Sequence, residues 1–117
     1  MSKISMQSAF TAMTLAMLAG SAFAAEPLTA TNGMTLYVFD QDKDGQSSCY
    51  DQCAMNWPPY LAESGAKAEE GWTQVKRKDG KMQWVYDGHP LYLFKGDSQK
   101  GDMKGDGMGG KWHVAKG

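Results

Sequence analysis

"TLYVFDQD", residues 35–42, and "PLYLFKGD", residues 90–97, carry the same Leu-Tyr-x-Phe-x-x-Asp pattern twice in a chain of 117 residues. The repetition runs well past the two octapeptides. Displacing the chain by 55 positions, with no gap, sets Gly33 on Gly88, Leu36 on Leu91, Tyr37 on Tyr92, Phe39 on Phe94, Asp42 on Asp97, Asp51 on Asp106 and Trp57 on Trp112. These seven identities fall in the 26 positions from Asn32 to Trp57, where average residue usage gives about one or two. The chain is therefore an internal duplication, with copies at about residues 32–57 and 87–112. Each copy is a turn, an aromatic strand, an Asp-bearing loop and a Trp. Neither could bury its aromatic face alone, so the two are expected to pack about a pseudo-twofold axis.

Side chains alternate across a strand, which puts Leu36 and Val38 opposite Tyr37 and Phe39, and Leu91 and Leu93 opposite Tyr92 and Phe94. Both faces are apolar, so these strands are expected to be covered on both sides. Asn32-Gly33, Asp79-Gly80 and Asp87-Gly88 are dipeptides that favour two-residue hairpin loops with positive φ at both positions. They separate the strand-like runs "LTAT", "MTLYVF", "WTQVKR", "KMQWVY" and "HPLYLF", and "KWHVA" closes the chain. The fold class that follows is mainly β, a small antiparallel domain of about six strands built from two pseudo-symmetric halves. Between the halves, the segment from Ser47 to Gly71 lacks alternation and carries Pro58-Pro59. It predicts a short irregular helical turn around Ser48 to Met55, ended by the prolines, then a surface loop.

The first 24 residues are set apart as an export signal. Lys3 gives a positive start, an apolar stretch runs from about Ala9 to Leu18, and Ala22-Phe23-Ala24 is a small-x-small cleavage site. The stretch is too short for a membrane span, and no cysteine near the cleavage point forms a lipobox. Residues 25–117 then make one domain, in the periplasm or secreted. Without Lys3, 11 basic side chains face 13 acidic ones. That balance provides no basic field for nucleic acid and no polybasic membrane patch. In an oxidising compartment Cys49 and Cys53 are expected to form a disulfide. Their C-x-x-x-C spacing is neither the thioredoxin-type C-x-x-C nor the haem-attachment C-x-x-C-H.

The Tyr37-Phe39-Asp42 and Tyr92-Phe94-Asp97 motifs, the "CYDQCAMNWPP" segment and the tail from Asp87 to Ala115 resemble the bacterial secreted-repeat family, or predicted lipoproteins with a Yx(FWY)xxD motif. The resemblance covers nearly the whole mature chain, with Trp57 and Trp112 as further repeat positions. It implies an envelope location and supplies no catalytic residues. The chain departs from the lipoprotein members in lacking a lipobox cysteine.

Two candidate metal sites stand out. Asp40, Asp42, Asp44 and Gly45 reproduce the D-x-D-x-D-G start of a calcium loop, with Asp51 at its twelfth position. Ser47 replaces the apolar eighth residue, Asp51 is shorter than the usual Glu, and a strand enters the loop, departures that favour a polar, solvated hairpin-to-helix loop over a cation site. Met103, Met108 and His113, with His89 and Met34, offer thioether and imidazole ligands suited to copper. The same methionines could simply fill gaps or sit in loops. No serine lies in a nucleophile motif and no His-Cys-Asn set is present, so no enzyme is expected. The aromatic residues read as a β-domain core, or, where exposed, as a surface for carbohydrate, peptide or haem. The expected function is a non-catalytic envelope module binding a partner protein or small ligand, with calcium as a candidate ion. The alternative is an envelope redox or electron-transfer accessory protein holding copper or haem.

Overall fold

The computed structural model describes residues 26–117. The expected export signal lies outside the described residues. Short strands form two antiparallel sheets. β1 (Tyr37–Phe39) pairs with β5 (Trp112–Val114), while β2 (Trp72–Lys76), β3 (Met82–Tyr86) and β4 (His89–Pro90) form the second sheet in that order. One short helix, α1 (Gln52–Asn56), follows β1, and a 3-10 turn (Met108–Gly110) precedes β5.

The fold is mainly β, with five strands and several isolated bridges among the described residues where about six strands were expected. "LTAT" forms no strand and keeps one bridge, Thr29 to Thr35, with a further bridge at Pro27 just before it. Elsewhere a proline, which removes a ladder donor, cuts a run short. The run expected from His89 to Phe94 stops as a strand at Pro90, and Tyr92 then bridges to Tyr37 on one side and Pro59 on the other. That double bridge joins the two sheets.

Turn chemistry follows the sequence in one case and departs from it in two. At Asp87-Gly88 both residues have positive φ, 51° and 83°, and Tyr86 pairs directly with His89 across a two-residue loop. At Asp79-Gly80 only Gly80 is left-handed. The amide of Arg77 bonds the carbonyl of Lys81, so three residues form the loop, and Asp79 Oδ1 accepts the Lys81 amide at 3.0 Å. Asn32-Gly33 repeats this arrangement. Ala30 bonds Met34, and Asn32 Oδ1 accepts the Met34 amide at 3.0 Å. In both, the Asx side chain caps the turn and holds its own backbone at negative φ.

The alternation read in the two motif strands produces two cores. Tyr37, Tyr92, Trp57, Trp112, Cys49 and Val114 form one, while Leu36, Leu91, Ala30 and Ala115 anchor the other. The four central residues Leu36, Tyr37, Leu91 and Tyr92 are fully buried.

The helix begins later than expected, at Gln52, and ends at Asn56, with Trp57 as its C-cap before Pro58-Pro59. Cys49 stands ahead of it in irregular chain and is joined to Cys53 by a disulfide, Cα–Cα 5.3 Å. The helix is entered through Asp51 at φ 55°, ψ −123°, a backbone region that glycine reaches readily and other residues do not. Its side chain makes no capping hydrogen bond. Asp51→Gly is therefore expected to raise unfolding free energy by about 1 kcal/mol, strain relief exceeding glycine's entropic cost. Urea unfolding checks this, and Asp51→Ala should show no such gain.

Candidate functional site

The two repeat motifs meet at the Tyr37–Tyr92 pair. The amide of Tyr37 donates to the carbonyl of Tyr92 at 2.8 Å, and the amide of Tyr92 returns the bond at 2.9 Å. From this point the side chains cross over. The Tyr37 hydroxyl donates to Asp97 Oδ2 at 2.7 Å, and the Tyr92 hydroxyl donates to Asp42 Oδ2 at 2.7 Å. Each motif's tyrosine thus holds the aspartate of the other motif.

Above this crossing lies a continuous stack of four rings: Phe39 on Trp112 (4.1 Å), Trp112 on Trp57 (3.9 Å, interplanar 1°) and Trp57 on Phe94 (4.3 Å). The tyrosines meet the tryptophans in T-shaped contacts, Tyr37 with Trp57 at 5.2 Å and Tyr92 with Trp112 at 5.1 Å. Trp57 and Trp112 are therefore core, as the sequence indicated for the motif aromatics, with Phe39 and Phe94 half-buried against them. Gly105 is required here, since a Cβ at that position would sit 2.5 Å from the Trp57 ring.

The two ends of the crossing are supported differently. At one end Asp97 Oδ1 accepts the Lys104 amide (3.0 Å), and the Gly105 amide donates to the Tyr37 hydroxyl (3.2 Å). At the other end side chains form a directed relay. Arg77 Nη1 donates to Ser47 Oγ (2.9 Å), Ser47 bonds the Tyr92 hydroxyl, and Asp42 terminates the chain while also accepting the Ser48 amide at 2.8 Å. Arg77 is 4% exposed. It further donates to Gln83 Oε1 (2.8 Å) and the Cys49 carbonyl (2.9 Å), with its guanidinium 4.2 Å over the Tyr50 ring. Its Nε has no hydrogen bond and faces Asp79 Oδ2 at 3.5 Å. Sequence reasoning missed Ser47, Arg77 and Gln83, because a basic residue at a strand end reads as a solvated one.

Burial, and then the Asp97 carboxylate, push the Tyr37 phenol well above its ordinary value. Burial does the same at Tyr92, with the Asp42 hydrogen bond adding to it and the Ser47 bond opposing it. The folded chain holds both protons more tightly than the unfolded chain. Their stabilisation is complete below about pH 10 and is lost as pH rises through the raised folded values. In alkaline titration, two of the five tyrosines should ionise only as tertiary structure is lost. Reversible ionisation of all five with the fold intact would contradict this.

The candidate metal ligands are placed as follows. Asp40 Oδ2 meets His113 Nε2 at 2.8 Å across the β1–β5 sheet, and Asp42 is engaged by Tyr92 and Ser48. Asp44 occupies a left-handed turn position, and Asp51 leads into α1. Among the described residues, no group of three or more His, Cys, Asp or Glu side chains is arranged to hold a metal ion. Met103 and Met108 are exposed. Asp106, the aligned counterpart of Asp51, accepts the Val114 amide at 3.0 Å through Oδ1.

Away from the crossing, a groove of about 440 Å³ opens over the second sheet. Its aromatic floor is Tyr60, Trp72 and Trp84, the two indoles perpendicular with centroids 5.8 Å apart. Backbone bonds between Tyr60 and Trp84 and between Ala62 and Met82 lay the chain after Pro59 along β3, which sets Tyr60 beside Trp84. Glu63, Lys67 and Glu69 stand on the rim, from the segment that joins the two repeats.

These features define a two-repeat β domain whose halves interlock through exchanged tyrosine–aspartate bonds. Residues 26–60 and 73–116 match the profile of a family described as a secreted repeat of unknown function, and the chain belongs to that family. No curated protein and no solved structure matches the chain. Residues 61–72, which supply most of the groove wall, lie between the two matched stretches. Among the described residues, no helix is long and apolar enough to cross a membrane.

Proposed function

We propose that the chain is a non-catalytic binding module of the bacterial envelope, acting in the periplasm or outside the cell, and that its ligand occupies the groove floored by Tyr60, Trp72 and Trp84. The observation that carries this reading is the groove itself. Its volume of about 440 Å³ is in the range of small-molecule sites, and three half-buried aromatic rings face it. The repeat-motif residues, by contrast, spend their polar atoms on one another. Asp42 and Asp97 each hold a tyrosine and a backbone amide, an arrangement that suits scaffolding.

The test is photo-crosslinking in cells exporting the protein, with a photoreactive residue at Leu61 on the groove rim or at Met55 on α1. Adducts are expected from position 61, lost in a Trp84→Ala background, and not from position 55. Equal adducts from both positions, unaffected by Trp84→Ala, would overturn the reading.

A further inference from the structure

The chemistry lining the groove selects among ligands, and this step rests on the reading of the groove as the binding site. Trp72 and Trp84 stand at 90° to one another, with Tyr60 beside Trp84. The Tyr60 hydroxyl accepts the Thr31 amide at 3.2 Å, and the Tyr60 side chain lines the groove. Trp72, Trp84 and Tyr60 line one space, and a ring face turned toward it presents negative π density. A cation within reach of such faces is attracted by their quadrupoles, most strongly by Trp.

The rim adds charge of the same sense. Glu63 and Glu69 are exposed there against the single Lys67, a net charge of −1 at the mouth. An anionic ligand would meet two carboxylates on entry. A neutral one would use them only as hydrogen-bond acceptors, with no charge attraction. A compact cation with an apolar shell uses both the rings and the rim, and it gives up little hydration on entering.

We infer that the groove binds a small organic cation of the quaternary-ammonium type. Most of its wall comes from residues 61–72, between the two stretches that match the family profile. Trp72 and the charged rim thus come from this chain's inter-repeat segment, while Tyr60 and Trp84 come from the matched stretches.

Choline is the probe, compared with dimethylbutanol, its uncharged carbon isostere, by indole fluorescence and NMR titration of the full mature chain. Choline is expected to bind at least about tenfold more tightly than the isostere. The double variant Glu63→Gln, Glu69→Gln, both at exposed positions, should weaken choline about three- to fivefold, more at low salt. Lys67→Gln should strengthen it by about twofold. Trp84→Phe keeps an aromatic face and should weaken binding less than Trp84→Ala. Equal affinity for choline and the isostere overturns the cation inference while leaving the groove a binding site, as does binding of a neutral sugar such as methyl glucoside in preference to choline. No binding of any probe, together with no adducts at Leu61, would remove both readings.

Discussion

Replacing Trp57 by alanine is expected to cost about 4 kcal/mol of unfolding free energy, most of what a small domain possesses. The ring is 5% exposed and contacts aromatic partners on both faces and one edge: Trp112 at 3.9 Å, Phe94 at 4.3 Å and Tyr37 at 5.2 Å. Its removal opens the centre of the four-ring stack, and the fully buried Tyr37 backbone leaves little room for collapse. Trp112→Ala should fall in the same range, because the ring occupies the partner position and is 6% exposed. The double variant should cost less than the sum, as the first deletion already abolishes the contact between the two indoles. Urea unfolding followed by circular dichroism measures all three. A loss below about 1 kcal/mol for either single variant would show that the rings do not form the shared centre of the repeats.

The second large effect is expected at Asp97. Alanine there leaves the buried Tyr37 hydroxyl without its carboxylate and the Lys104 amide without an acceptor. An unmade hydrogen bond to a buried group costs more than a made one contributes, so the expected loss is about 3 kcal/mol. For a domain of this size that lowers the melting temperature by roughly 12–20 °C. Asp97→Asn should cost less, since the amide oxygen still accepts one bond. Thermal melts of the three proteins in one buffer decide the order. At Asp42 the same substitution strands the Tyr92 hydroxyl and the Ser48 amide, and the Arg77–Ser47 relay loses its terminus. Calcium in the loop would have to draw Asp42 away from Tyr92 and Ser48, so millimolar calcium is expected to leave the wild-type melt unchanged.

Much of this architecture was legible before the structure. The offset of 55 aligned the halves, and period-two alternation placed leucines and tyrosines on opposite faces of two covered strands, which became the two cores. The disulfide and the irregular chain around it followed from spacing and compartment. What the sequence could not reveal was direction. A duplicated motif reads the same whether Tyr37 bonds the aspartate of its own copy or that of the other, because alignment carries no information about which copy crosses. The Arg77 network was hidden for a different reason. A buried guanidinium is stable only with several acceptors around it, and these come from two distant segments, Ser47 and the Cys49 carbonyl from one loop and Gln83 from β3. The groove was equally out of reach. Its floor is strand and its rim is loop, and neither has a pattern that announces the other. Loop lengths at Asn32-Gly33 and Asp79-Gly80 were misjudged because their Asx side chains turn inward to cap the backbone.

The exchange of tyrosine–aspartate bonds between repeats is tested most directly by two double-mutant cycles. Tyr37→Phe combined with Asp97→Ala spans the copies, and Tyr37→Phe combined with Asp42→Ala stays within one. The crossed arrangement predicts a coupling of about 1–3 kcal/mol in the first cycle and below about 0.5 kcal/mol in the second. Strong coupling between Tyr37 and Asp42, with additivity between Tyr37 and Asp97, would mean that each repeat closes on itself and that the interlock does not exist.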